Sequence, residues 1–170
     1  MVEDQTTGRA DSLPWTVTEL LEHLAREREA LERAGADLSD EAFVATSGGW
    51  SVKDQLAHIA AWERRLVGEV RGDLAVARFG IDEVTFSTMN GEVLNAMLHA
   101  RHGDDPPAMV RAEFHAAGEA LRSSLAGLSD PDLIQSVRPD DPQVDTLVEL
   151  IAWDTFWHYP DHIAAIANHT

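Results

Sequence analysis

Residues 51–70 read SVKDQLAHIAAWERRLVGEV, and the spacing within this stretch decides the fold class. Ser51 is of the type that caps helix N-termini, and Asp54 places a negative charge at the positive end of the helix dipole. Val52, Leu56, Ile59, Leu66 and Val70 recur at the spacing that lines one side of an α-helix. His58 falls at the edge of that stripe, with Trp62 one turn further on. Glu63 falls near its middle, an odd place for a carboxylate, because a buried carboxylate needs a partner.

Working outward, the same period recurs almost everywhere. From Thr16 to about Asp37 the apolar positions are Val17, Leu20, Leu21, Leu24, Leu31, Ala34 and Leu38, with Pro14 ahead and Gly35 near the end. SDEAF reads as a short turn and TSGG as a loop; RGD and RFGID read as an irregular connection. A third helix is expected over roughly Val84 to His102. GDDPP ends it, and Pro106 and Pro107 suit the first turn of a fourth helix running to about Leu125. LSDPDL and RPDDPQ are turn-rich. The last helix is expected from near Thr146 to about Ala167. Strand signals are poor: apolar–polar alternation is scarce, and Asn90-Gly91 has helical neighbours. The expected fold is all-α, an antiparallel four-helix bundle with a long connection carrying an extra helix. Residues 1–13, polar and acidic, are expected to form a loose tail, and 14–170 a single helical-bundle domain.

The chain has 170 residues, 13 Lys and Arg against 30 Asp and Glu, and a formal net charge of −17. Such a surface repels phosphate backbones and carries no basic cluster, so a nucleic-acid partner is not expected. No apolar run is long enough to span a membrane, and the start does not resemble a secretory signal. There is no cysteine. That excludes disulfides, thiolate metal ligands and a cysteine nucleophile, and fits a reducing cytoplasm. Any metal must be held by nitrogen and oxygen.

Chemistry concentrates in DTFWHYPDHIAAI, residues 154–166. His158 and His162 stand four apart, so on a helix their imidazoles face the same way and can chelate one divalent ion. Asp154, His158, Asp161 and His162 form one polar stripe; Leu150, Trp153, Phe156, Trp157, Ile163 and Ile166 occupy much of the rest. Two histidines with no lysine or arginine make an unusual solvated face. His58 is the best candidate for a third ligand. Glu63 can bond a ligand imidazole, pair with an arginine or act as a base; Asp154 and Asp161 can orient the imidazoles. Glu63 and Asp154 are the candidate catalytic carboxylates. Pro160 lies between the two histidines. Its missing N–H frees the carbonyl of Phe156, and a kink there would widen the bite of the pair. The other histidines have bland readings: His23 and His115 on charged helices, His99 and His102 near a helix C-terminus, His169 at the end.

WSVKDQLAHIAAWE, followed about a hundred residues later by HYPDHIAAI, resembles the DinB-like four-helix-bundle superfamily. The intervening MNGEVLNAMLHARHGDDPPAMVRAEFHAAGEALRSSLAGLSDPDL makes the chain look most like the branch that includes colibactin self-resistance proteins. The resemblance implies a metal site of one histidine from the second helix and two from the last, which fall here on His58, His158 and His162. It implies nickel or zinc as the metal, a homodimer, and either thiol-dependent transfer and isomerisation or, in the self-resistance branch, opening of a strained electrophilic ring by water.

Three imidazoles leave a coordination position open, where the ion can activate water or a thiol. With no cysteine in the chain, that thiol would be an external low-molecular-weight cosubstrate. Trp50, Trp62, Trp153 and Trp157 can line an apolar pocket around the site, or simply fill the core. Three functions follow: a metal-dependent hydrolase or thiol transferase acting on small electrophiles in detoxification or self-resistance, a protein that sequesters a reactive compound without turnover, or a structural dimer with a vestigial site.

Overall fold

Ser51 caps its helix as its sequence context requires. Its hydroxyl accepts the Asp54 N–H at 3.2 Å, and the Asp54 carboxylate accepts the Ser51 N–H at 2.9 Å. This reciprocal arrangement satisfies two of the backbone donors that a helix start leaves open. It recurs at Thr16 with Glu19 and at Thr146 with Glu149. Three of the four long helical segments therefore begin where a capping residue dictates. The fourth begins at two prolines, Pro106 and Pro107.

The computed structural model describes residues 13–46, 49–137 and 146–168. The tail expected over residues 1–13, apart from Leu13, lies outside them, as do His169 and all of RPDDPQ. The described helices, in chain order, are α1 (Val17–Gly35), α2 (Asp40–Val44), α3 (Val52–Arg71), α4 (Leu74–Ala77), α5 (Glu83–Thr88), α6 (Gly91–His102), α7 (Pro107–Leu125), α8 (Asp130–Leu133), α9 (Leu147–Asp154) and α10 (Tyr159–Ala167). The only bridge among the described residues pairs Ser136 with Thr146. The chain is thus all-α. No helix among the described residues is long and apolar enough to cross a membrane.

Helix α3 is the spine. It packs most extensively on α7 and also touches α2, α4, α6, α9 and α10, while α1 lies against α7 and α10. Leu20, Leu24 and Leu31 of α1, Val52, Leu56, Ile59 and Leu66 of α3, Phe114, Leu121 and Leu125 of α7, and Leu150, Ile151 and Ile166 of the last segment form one buried cluster. Burying each such side chain contributes about 1.5–3 kcal/mol. The apolar surface of the last segment is largely consumed within the chain, since Leu150, Phe156 and Ile166 are almost fully buried.

Three expectations change. SDEAF forms the short helix α2, capped by Ser39. The stretch expected as one helix from Val84 to His102 is two: Asn90 accepts the Val93 N–H at 2.9 Å and restarts the chain as α6. The connection after α3 is not irregular throughout, because α4 and α5 lie within it; Gly72 ends α3 in the left-handed conformation, φ 71°, that a glycine adopts without strain.

The largest departure is in the last helix. It is not kinked but broken, with Thr155–His158 outside both halves. Thr155 adopts φ −132°, ψ −102°, and its hydroxyl donates to the Ile151 carbonyl. The N–H groups of His158 and Tyr159 both reach the Thr155 carbonyl at 2.8 Å. Pro160 sits in the first turn of α10, where its missing N–H would be unpaired in any case and its fixed φ suits the helix.

Candidate metal centre

The break brings together the three histidines singled out in the sequence. His58 projects from the middle of α3, His158 caps α10, and His162 lies one turn into α10. The Nε2 atom of His158 stands 3.3 Å from that of His58 and 2.8 Å from that of His162. His58 and His162 are buried and His158 is half-buried.

Burial sets the charge of this cluster. Desolvation, followed by repulsion from the other two rings, pushes His58 down to about 2. Desolvation and His158 push His162 down to about 3. His158 is also lowered by burial, against a small opposing pull from Asp161 and from a hydrogen bond to the Asp154 backbone. All three imidazoles are therefore neutral near pH 7, the form that ligates metals.

One tautomer follows from hydrogen bonding. His162 Nδ1 faces Oε1 of Gln55; an amide oxygen only accepts, so that nitrogen carries the proton and Nε2 keeps its lone pair. That lone pair faces the His158 Nε2 atom at 2.8 Å, where a proton or a cation can hold the two rings together. The second ring nitrogen of His58, Nδ1, is buried without a hydrogen-bond partner.

The two candidate carboxylates sit elsewhere. Glu63, fully buried, bonds Arg28 and accepts the Tyr159 hydroxyl at 2.6 Å; no imidazole is among its partners. Of the three roles open to it from sequence, its contacts match pairing with an arginine. Burial pushes its carboxyl up, and Arg28 opposes that shift. The Asp154 carboxylate bonds Arg65, which is 2 % exposed and also holds Glu69 at 3.0 Å. Burial raises Asp154 to about 6 against the pull of Arg65. The Asp154 carboxylate is thus engaged in neutralising a buried guanidinium and not in orienting an imidazole.

Sequence reading missed Gln55, Arg28, Arg65 and Tyr159. Gln55 had a legible signal, lying three residues before His58 on the same side of α3. Arg28 had a weaker one, as the charged member of the stripe Leu20, Leu24, Arg28, Leu31. Of the four tryptophans proposed around the site, Trp50 and Trp62 tilt against His58, with ring centroids 5.1 and 6.0 Å away. Trp50 also stacks on His99, and Trp62 donates to Asn95 Oδ1 at 3.3 Å, so α6 reaches the same corner. Trp153 and Trp157 pack edge to face on each other and against the core. His23, read as solvated, stacks on Phe156 at 4.4 Å. A cleft of about 570 Å³ between α3, α6 and α7 is lined by Ala57, Ala61, Leu98 and Val110 and by none of the three histidines.

Comparison with known proteins places the fold. Two solved structures share the fold. One is a colibactin self-resistance protein, ClbS, in complex with a dsDNA: TM-score 0.71, 12 % identity, covering 92 % of this chain and 96 % of that one. The other is a protein of unknown role from Escherichia coli UTI89: TM-score 0.67, 15 % identity, covering 92 % and 94 %. No curated protein matches. The ClbS complex overturns the expectation that nucleic acid is excluded as a partner. Net charge sums over the whole surface, whereas binding depends on the local potential at the contact, so an overall charge of −17 does not carry that exclusion. Residues 26–161 match the mycothiol maleylpyruvate isomerase N-terminal domain, and the chain belongs to that family and, through it, to the DinB-like superfamily.

Proposed function

We propose that the protein is a divalent-metal-dependent enzyme in which His58, His158 and His162 hold the ion and a small electrophilic metabolite is attacked by water or by an external low-molecular-weight thiol. The observation that carries this reading is the convergence of three imidazole nitrogens in a largely buried cluster, with the His158 Nε2 atom 2.8 Å from that of His162 and 3.3 Å from that of His58. The residues fit a metal. Nitrogens bonded to one ion at about 2.0–2.1 Å stand roughly 3.3 Å apart in a tetrahedral arrangement and roughly 2.9 Å apart at a right angle; His58 and His158 are 3.3 Å apart and His158 and His162 2.8 Å apart. An all-nitrogen donor set suits nickel or zinc.

When bound, such an ion supplies Lewis acidity and lowers the pKa of water or a thiol at the open position. The chain's own residues prepare the site. Gln55 holds the His162 ring by Nδ1, so that ring presents Nε2 to the site. Burial keeps all three imidazoles unprotonated. Trp50 and Trp62 cover His58 and exclude water from its side. Glu63 and Asp154 act through Arg28, Tyr159 and Arg65 and not on the reacting atoms. Of the two nucleophiles, a thiol is favoured by the family's name, which joins mycothiol to an isomerase. The cysteine-free chain suits a reducing compartment such as the cytoplasm.

Tag-free protein is expected to carry about one divalent ion per chain by elemental analysis, and the His158→Ala/His162→Ala double variant to carry none. Equal metal in both would sink the assignment. Turnover of a reactive electrophile such as an epoxide should require the metal and accelerate with added thiol. Stoichiometric protection without product would favour the second reading, sequestration of a reactive compound, which the self-resistance role named for ClbS supports.

A further inference from the structure

The three histidines come from two places in the chain, and one of those places is a break between helices. Residues 155–158 belong to no helix; their backbone bonds stay within the last segment, so side chains must set where it lies against α3. Asp154 is bonded to Arg65 and His162 to Gln55; the tie next to His158 is Tyr159. Tyr159 is fully buried and its hydroxyl donates to Glu63 at 2.6 Å. Glu63 lies five residues after His58 on α3, so one helix supplies both a member of the cluster and the post to which the other two are tied. Arg28 of α1 bonds the same Glu63 oxygen. It is held in turn by the Phe114 carbonyl at 2.6 Å and by the Phe114 ring, whose centroid lies 3.7 Å from the guanidinium carbon. The guanidinium lies against Gly118, where an added Cβ would come within 2.7 Å of that carbon.

Such a network is a poor way to stabilise a core. A buried ion pair costs desolvation that its own attraction barely offsets, and apolar replacements of similar volume are often as stable. A phenylalanine would fill the space of Tyr159. What the charged network adds is direction, because a short hydrogen bond to a fixed carboxylate sets where the tyrosine ring, and the backbone beside it, must lie. We infer that Arg28, Glu63 and Tyr159 are positioning residues that fix His158 relative to His58 and thereby set the geometry of the three-histidine cluster. This rests on the reading of the cluster as a metal site only for its metal-bound consequence; the positioning itself exists in the metal-free chain.

The test uses Tyr159→Phe, which removes one oxygen and keeps the ring. In the full-length metal-free protein, side-chain ¹H–¹⁵N correlation spectra should show the His158 and His162 ring resonances shifted or broadened, with His102, which is bonded to Asp105, unmoved. On titration with Co²⁺, the variant should bind about tenfold more weakly, as for other lost partners of ligand residues, and its visible absorption bands should move. Glu63→Gln, which keeps an acceptor for the Tyr159 hydroxyl but leaves the Arg28 charge unbalanced, should move the same resonances by less than Tyr159→Phe does. Unmoved histidine resonances in Tyr159→Phe, even with lowered stability, would overturn the inference and leave the network a plain core element. A wild-type protein that takes up no Co²⁺ while its variant still shifts the histidine resonances would overturn the metal reading but uphold the positioning.

Discussion

The Nε2 atoms of His158 and His162 face each other at 2.8 Å, while the opposite nitrogen of the His162 ring is engaged by Gln55. The His162 ring is thus held by its back and aimed by that grip. The pair spans the end of one helical break: His158 precedes the first turn of α10, and His162 follows it.

Neutral buried imidazoles make the metal-free protein sensitive to acid. His58 and His162 are depressed to about 2 and about 3, and His158 is lowered as well. An unfolded chain takes up these protons as pH falls below about 6.5, and the folded one does not. Their contribution to stability is therefore complete above the unfolded value and is lost as pH drops toward the folded values, on the order of 1.4 kcal/mol per pH unit for each imidazole. Denaturant midpoints of chelator-treated protein should fall steeply between about pH 6.5 and pH 4.5, and those of His162→Gln should fall less steeply. A profile of equal slope in the two proteins would show that the cluster is not held neutral.

Gly118 faces the guanidinium of Arg28 so closely that a methyl group there has no room. Gly118→Ala should raise helix propensity by up to about 1 kcal/mol, yet the displaced Arg28 and Phe114 should cost about 1–3 kcal/mol. Net destabilisation in urea unfolding is expected. A more stable variant would mean that Arg28 can move without loss.

Pro160 lies in the first turn of α10 and is exposed. Pro160→Ala should therefore change stability by no more than about 1 kcal/mol, through lost preorganisation of φ. The break should persist, because Tyr159 remains tied to Glu63. Circular dichroism showing added helix in this variant, as a continuous α9–α10 would give, would locate the cause of the break in the proline alone.

Much of this was legible in the sequence. Ser51 with Asp54 and Thr16 with Glu19 announce their helix starts locally, and the three histidines stand out because their neighbours are apolar. The split at Asn90 was missed because helical periodicity on both sides masks one capping residue. The break at Thr155 was read as a kink for a similar reason: Pro160 carries the same signal in mid-helix and in a first turn, and only tertiary contacts distinguish the two. Glu63 was recognisable as an anomaly, but its partners lie 35 and 96 residues away, and no local spacing predicts such pairs. The exclusion of nucleic acid failed differently, by treating a whole-chain charge as though it described every face.

The Arg28–Glu63–Tyr159 contact also bears on how the chain assembles. Glu63 loses water when the helices close over it, and a desolvated carboxylate with only one of its two partners is costly. A chain with α1 docked and α10 loose, or the reverse, meets that cost without the full return. The first and last helices of the described fold, remote in sequence and packed on each other, are thereby coupled through one oxygen atom as well, which makes their docking more cooperative.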